Sequence, residues 1–494
     1  DGYIIKAGNI GKEDENIFES ELEMGLINNW RFQSDKLILK SNGWSSEKIN
    51  FTNDPLNPTQ TRIEAEGVIA KQGENEQTVI LFRKSRLILE DHFSIPLLKN
   101  KQFGQSQEFR WSLGIDFTDR DGFFLGRKFD DINLAKDFSL SLQPQFYIQR
   151  SINGETNSYI SPGSSVLSNK VNATTNIYDL FGLKADINGR KNNIELDFNT
   201  IITTFDGSRF SNGYRYKGSL SKEIDIPKLD KIKASLFTSY RYPTWNGSLG
   251  ESDIYYASGM IFEKKIKSQS SKSKNEYIAR IGSGHYESEE YNKKSLIKLW
   301  KTNIYTLMKS KRQIYKSRNT ISNQNLLYRY TPEPVEPGLN FNTEISASYS
   351  FYGNDRNQGL IKFAAGPELT IGYFSEKFFD YTRLSIMPAI TVKDGASPFK
   401  FDNEVDLRTI ELELDQQIIG PLLLSTEIEL NIDNNSTNYG KFLSSKTALI
   451  LKRRSYEFGL FYQPSEKSGG IQFRLNGFSF NQSGRPFVDF INNI

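Results

Sequence analysis

From residue 105 to residue 494 the chain is written in short stretches of alternating apolar and polar positions, separated by turn-forming clusters. The clearest is DFSLSLQPQFYIQR at 137–150, where Phe138, Leu140, Leu142, Pro144, Phe146 and Ile148 share one parity. Ser139, Ser141, Gln143 and Gln145 hold the other. A strand sends alternate side chains to opposite faces, so the pattern writes an apolar face against a polar one. Comparable runs occur at 109–117, 341–351, 361–373, 382–392 and 471–480. Repeated in this way, the pattern predicts a transmembrane antiparallel β-barrel with an oily exterior and a wet interior, of about 18 to 20 strands. Prolines within it (Pro144, Pro367 and Pro388) bring no N–H to a ladder and are expected at rims, bulges or a weakened seam. Two stretches break the rhythm: the lysine- and serine-rich 263–276 and the proline-rich 331–338, both expected as solvated loops. Residues 295–315 could form a basic amphipathic helix, but their Ile and Tyr content and flanking strands favour a strand.

Residues 1–104 read differently. Shorter apolar runs at 3–7, 25–32, 36–40, 48–51, 61–70, 78–82 and 85–90 are separated by turn clusters such as Asn53-Asp54-Pro55. The spacing predicts a separate β-domain of about seven strands, a sandwich or an open roll. Its apolar positions Ile38, Ile49, Phe51, Ile63, Val79, Leu81, Leu87 and Leu89 form either an ordinary core or a lining for a lipid groove. A hinge into the second region is expected near 95–102.

Composition narrows the class. No apolar run reaches the ~18 residues of a spanning helix; the longest, IIGPLLL at 418–424, is broken by Gly and Pro. The 35 Phe and 24 Tyr suit strands and interfacial girdles. A net charge of +3, from 62 basic and 59 acidic residues, gives no field for nucleic acid. With no cysteine, disulfides and thiolate sites are excluded, and His92 and His285 are too few for most imidazole metal sites. The chain opens at Asp1 and reads as a mature or trimmed form of an exported protein.

Candidate chemistry is sparse. Ser283 and His285 share a parity and would be the pair to test for a hydrolase, although no third member is evident. Asp116, Asp119 and Asp121 suggest either a Ca²⁺ site or a turn of solvated acids paired with Arg120. Glu251 and Asp253 follow a Gly-Ser-Leu-Gly turn and read as a turn or a loop folding into the lumen. We expect no catalytic residues, metal or cofactor, and nothing resembles a nucleotide-binding loop.

Several segments carry a resemblance: FTNDPLNPTQTRIEAEGVIA (51–70), RKSRLILEDHFSIPL (83–97), WSLGIDFTDRDGFFLGRKF (111–129), PQFYIQRSI (144–152) and YRYPTWNGSLGESDIYYASG (240–259). They are similar to the cyanobacterial branch of the LPS-assembly outer-membrane proteins, the LptD or OstA-like translocons. The resemblance implies a periplasmic OstA-like β-jelly-roll at 1–104 and an outer-membrane barrel at 105–494, of about 18 to 26 strands. It implies lipopolysaccharide as cargo, handed on by an LptA-like periplasmic bridge protein, with acyl chains leaving through a lateral seam between the first and last strands. Trp111, Leu113, Ile115, Pro144, Ile471, Phe473 and Leu475 are the seam candidates. Without cysteine the disulfides that tie the two parts together in better-known members cannot form, so contacts alone must orient them. Neither a plug protein nor the strand number follows from the sequence. A passive porin with a periplasmic module is the alternative, and an outer-membrane lipid-processing enzyme a third.

Overall fold

The computed structural model describes residues 31–475, apart from 41–42, 53, 55, 73–77, 98–100, 103–110, 130, 136, 161–169, 228–229, 271, 318–323, 332–333 and 466. The expected boundary at 104/105, the apolar run at 3–7, most of that at 25–32, and the tail at 481–494 lie outside the described residues.

Eight strands form an N-terminal sheet: β1 (Arg31–Ser34), β2 (Ile38–Lys40), β3 (Gly43–Thr52), β4 (Thr61–Gln72), β5 (Thr78–Leu81), β6 (Lys84–Leu89), β7 (Phe93–Leu97) and β8 (Lys101–Gln102). Strand β4 is its spine. One edge pairs with β3; the other pairs with β6 over Thr61–Glu66 and with β5 over Ile69–Gln72. The change of partner falls at Gly67, whose φ of +60° and close approach to the Arg83 side chain both favour glycine. Its apolar face gathers Ile49, Phe51, Ile63, Ala65, Val68, Ala70, Ile80, Phe82, Leu87 and Leu89 in one buried cluster.

The next strands are β9 (Trp111–Asp116), β10 (Gly122–Arg127), β11 (Ile132–Ala135) and β12 (Phe138–Tyr147). A short helix α1 (Ile148–Asn153) and a separate hairpin, β13 (Glu155–Ile160) with β14 (Lys170–Thr174), follow. Then come β15 (Phe181–Lys191), β16 (Ile194–Ile202), β17 (Tyr214–Ile226), β18 (Asp230–Trp245), β19 (Glu251–Gln269), β20 (Ser273–Glu289) and β21 (Leu296–Lys316). The last are β22 (Gly338–Tyr352), β23 (Asn357–Ile371), β24 (Thr382–Gly395), β25 (Arg408–Ile419), β26 (Leu422–Asn431), β27 (Phe442–Lys452), β28 (Tyr456–Gln463) and β29 (Ser468–Leu475). With β10 and β11 as two halves of one strand on β12, they close an antiparallel barrel of eighteen strands.

The two faces obey the sequence pattern. On β23 the outward positions Ile361, Phe363, Leu369 and Ile371 are exposed, while the alternate positions include Lys362 and the buried Glu368. The inner wall is ionic: Glu368 meets Lys311 at 2.6 Å and Arg383 at 3.2 Å, and Arg383 also reaches Glu413 and Asp415. An apolar band outside and a charged lumen inside a closed barrel are the architecture of an outer-membrane protein.

Two expectations are corrected. Residues 263–276 are not a loop: β19 runs to Gln269 and β20 begins at Ser273, so only a tight turn separates them. Their charges look solvated in sequence but bind across strands, Glu263 to Arg280 and Lys265 to Glu276. Pro367 and Pro388 lie in mid-wall, where the β23–β24 ladder lapses between Ala364↔Ala389 and Glu368↔Ser385. Residues 295–315 are strand, within β21.

The wall is uneven. Strands β9 and β10 have 6 residues each, whereas β21 has 21. Crossing a bilayer takes about 9–11 residues, which the longest strands exceed.

Candidate functional site

The junction of β9 with β29 is held by three register pairs: Ser468↔Asp116, Gly469↔Ile115 and Gly470↔Gly114. By contrast β20 and β21 pair through seventeen residues. Pairing stops at Gly470 although β29 continues to Leu475 and β9 starts at Trp111. Of the seam candidates, Ile115 lies in the closed part, while Leu113 and Ile471 are the first unpaired positions beyond it on the two strands, both half-buried. Trp111 and Leu475 take their backbone partners on β10 and β28, at Arg127 and Tyr456. Pro144 belongs to the next junction: β10 pairs with β12 only over Gln145–Tyr147, and pairing resumes on β11 at Leu140. Among the described residues, the leaf formed by β9 and β10 is therefore thinly held on both sides.

Phe473 leads to the N-terminal sheet. It pairs with Phe458, which with Leu460 and Tyr462 marks the exposed outer face of β28. Directly opposed residues on neighbouring strands share a face, so Phe473 points out of the barrel, yet it is only 8% exposed. The cover is the N-terminal sheet: Phe473 and Tyr456 join its apolar cluster, with Leu451 packed alongside. The apolar interior of the sheet thus continues onto the outer face of β27–β29, beside the unpaired half of the seam.

Among the groove candidates, Ile49, Phe51, Ile63, Leu87 and Leu89 line this interior. Ile38 does not; on β2 it is 48% exposed. Leu81 is half-buried on the opposite parity from the buried Ile80 and Phe82, so the expected parity at 81 is reversed. The reason is the change of partner at Gly67, after which β5 takes its register from the far half of β4. Val79 lies in β5, paired with Lys71 and Gln102.

A polar joint holds sheet to barrel. Arg454, in the β27–β28 turn, donates from Nε to the Asp54 carboxylate at 2.7 Å and from Nη2 to the Pro58 carbonyl at 2.6 Å. Its N–H donates to Gln60 Oε1, and Gln60 Nε2 donates to the Arg329 carbonyl at 3.2 Å. Asp54 also accepts the N–H groups of Leu56 and Gln60. The carboxylate is fully buried and fully bonded, which a buried charge requires.

The opposite end of the seam is clamped by charge. Asp116, Asp119 and Asp121 are not a solvated turn: they take Arg120, Arg215 and Arg150 as partners at 2.5, 2.5 and 2.6 Å. Burial alone raises the Asp119 pKa; Arg215 first, then Lys170, Arg120 and Arg150, outweigh it and hold the carboxyl below its usual range. Arg150 also donates to the Asp119, Asp179 and Thr203 carbonyls, tying the β9–β10 turn to two other loops. Glu251 and Asp253 open β19, where Asp253 is buried 4.0 Å from Arg241. Ser283 lies on the outer wall, accepting from Trp300 Nε1 at 2.9 Å and sharing a hydrogen bond with Thr302.

The mouth at that end is filled by residues 396–407, between β24 and β25. Phe399 and Phe401 pack on Tyr286 and Tyr352, which project from the lumen faces of β20 and β22. Asp402 binds Lys301, the Tyr352 hydroxyl and Ser397, and both Asp402 and Lys301 are 0% exposed. Asn246 donates to the Lys400 and Asn403 carbonyls, and the Ser248 N–H to Asp406. Trp245 Nε1 reaches across the mouth to the Leu443 carbonyl at 2.6 Å.

Compared with known proteins, residues 24–479 match the profile of a family described as a protein of unknown function, DUF3769. The chain belongs to this family. No curated protein matches it. The DUF3769 match takes in the N-terminal sheet, the joint and the barrel as one continuous unit. Sequence reading missed Tyr456, Asp54, Gln60 and Arg454, and it missed the filled mouth altogether. The nearest signal was SPFKFDNE at 397–404, where two Phe and two acids interrupt the strand rhythm.

Proposed function

We propose that this protein moves lipopolysaccharide to the outer leaflet of the outer membrane. Acyl chains pass from the interior of the N-terminal sheet, read as an OstA-like jelly-roll in the periplasm, to the bilayer through the seam. The observation that carries the reading is the single apolar cluster shared by that interior and the outer face of β27–β29, beside a seam of three pairs. An acyl chain leaving the sheet there need not enter the charged lumen, where its desolvated neighbours would be ion pairs. Burying such a chain gains ~0.8 kcal/mol per CH₂, so a continuous apolar path carries it without a barrier of exposed hydrocarbon. The saccharide part takes the polar side, and an LptA-like bridge is the donor. The protein performs no bond chemistry in this scheme. A passive porin accounts for the charged lumen but leaves the sheet-to-wall cluster and the filled mouth without purpose.

The test uses the absence of cysteine. Leu113→Cys with Ile471→Cys places a thiol at the first unpaired position of each seam strand. Oxidation should stop lipopolysaccharide reaching the surface, and reduction should restore it. A photocrosslinker at Phe51 or Phe473 should capture labelled lipopolysaccharide, and one at Lys272, in the β19–β20 turn, should not. Normal export through a verified disulfide, with no adducts from a folded and active crosslinker variant, would sink the proposal and leave the porin reading.

A further inference from the structure

We infer that residues 396–407 are a plug built into the chain, which closes the extracellular mouth and withdraws when polar cargo leaves. The inference about closure stands on geometry alone; the need for withdrawal rests on the transport reading above.

An ordinary surface loop would satisfy its backbone in water and leave its apolar residues few. This one does the reverse. Phe399 and Phe401 are buried in an aromatic cluster with Tyr286 and Tyr352, the ring centroids of Tyr286 and Phe401 lying 5.8 Å apart. The segment is pinned from around the mouth: by Lys301 on β21, Gln358 on β23, Asn246 and Ser248 between β18 and β19, and Asn431 at the end of β26. Lys400 extends to Glu251 and Glu289 at the ends of β19 and β20. Anchors on or beside strands from β18 to β26 hold the segment across the mouth, where it narrows the charged lumen.

The attachments also show how it opens. They are side-chain hydrogen bonds and two ion pairs, Lys301–Asp402 and Lys400–Glu289, with one isolated backbone bridge, Glu290↔Phe399, and a bond from the Tyr291 N–H to the Pro398 carbonyl. Swinging outward breaks these contacts but no strand-to-strand ladder of the barrel. The Lys301–Asp402 pair is the central latch, because it joins the plug to the wall and both its groups are fully enclosed.

Two measurements test this. First, the purified full chain is placed in planar phosphatidylcholine bilayers beside a variant with 396–406 replaced by a short Gly-Ser link. Asp402→Asn, which keeps the shape of the latch but not its charge, serves as a milder variant, and heat-modifiable gel mobility verifies folding. The parent should be almost silent, the replacement steadily conducting, and Asp402→Asn intermittently open. Equal conductance of the folded parent and both folded variants overturns the plug. Second, Asn246→Cys with Asn403→Cys locks the segment down. Oxidation should abolish surface delivery of lipopolysaccharide and reduction should restore it; normal delivery through a verified lock overturns the withdrawal. Because the conductance arm involves no lipid cargo, its failure is distinguishable from failure of the transport reading, which the seam disulfide tests separately.

Discussion

At the scale of single residues, the most consequential side chains are buried charges whose partners come from distant parts of the chain. Asp54 and Arg454 are the clearest pair. Removing one partner of a buried ion pair leaves an uncompensated charge and costs ~3–5 kcal/mol, whereas removing both costs much less. Arg454→Ala should therefore loosen the N-terminal sheet from the barrel, seen as faster hydrogen exchange around 54–60 with unchanged heat-modifiability of the barrel. Adding Asp54→Ala should recover part of the loss; a double variant no better than the single one would show that the pair itself is not the joint. Glu404 gives a second prediction. Burial pushes its pKa up to about 7, with Asp406 and Glu429 adding to the effect and the Asp406 N–H and Lys362 opposing it. Lys393 binds the Glu404 carbonyl, not its carboxylate. The seated plug thus holds the neutral acid, while a released, solvated Glu ionises near 4.5. Between those values the seated state binds more protons, so seating is firmest below about 4.5 and weakens as pH rises to about 7, by up to ~3 kcal/mol. Openings in a bilayer should become more frequent from pH 5 to pH 8, and Glu404→Gln should flatten that dependence.

Elements differ mainly in how firmly they are paired. The β9–β10 leaf has three pairs to β29 on one side and an interrupted ladder to β12 on the other. Its far end is clamped by Arg120, Arg150 and Arg215. Each missing ladder bond in a sheet exposed to lipid leaves polar groups unsatisfied, a cost that closed barrels normally avoid. A seam left open only at the end beside the N-terminal sheet is thus an element under local strain, held by its other end. Arg150→Met should release that hold, because one guanidinium serves Asp121 and three loop carbonyls. The expected outcome is a lower temperature for loss of heat-modifiable mobility and a faster closure rate of the Leu113→Cys/Ile471→Cys disulfide. An unchanged disulfide rate would place the restraint elsewhere. Gly114 and Gly470, paired at the last closed position, were not legible as seam residues, since glycine in a strand usually marks a bulge or a close approach. Here the approach is to Phe124, whose ring occupies the place of a Gly114 Cβ.

For the whole molecule, the two faces of the wall make the bilayer prediction. A nitroxide scan of 358–371 on β23 should show oxygen accessibility at Ile361, Phe363, Leu369 and Ile371, and relaxation by a water-soluble nickel chelate at Lys362 and Glu368. Loss of that alternation would mean the barrel does not sit in lipid as its outer band requires.

The sequence by itself determined the strand pattern, the division into a short-stranded region and a barrel, and which face of most barrel strands meets lipid. Those follow from a period of two, a property each strand carries locally. It also indicated that no disulfide could orient the two parts, since there is no cysteine. Only the tertiary structure decided that Leu81 stands aside for Ile80 and Phe82, because register in β5 comes from its partner and not from its own residues. The same holds for Phe473: alternation puts it outside, and only the docked sheet buries it. Asp54 with Arg454, and Lys301 with Asp402, are separated by hundreds of positions or about a hundred, and nothing local marks either partner. Such pairs come from closure of the ring, which brings the end of the chain back to its beginning and gives a loop like 396–407 a mouth to fill.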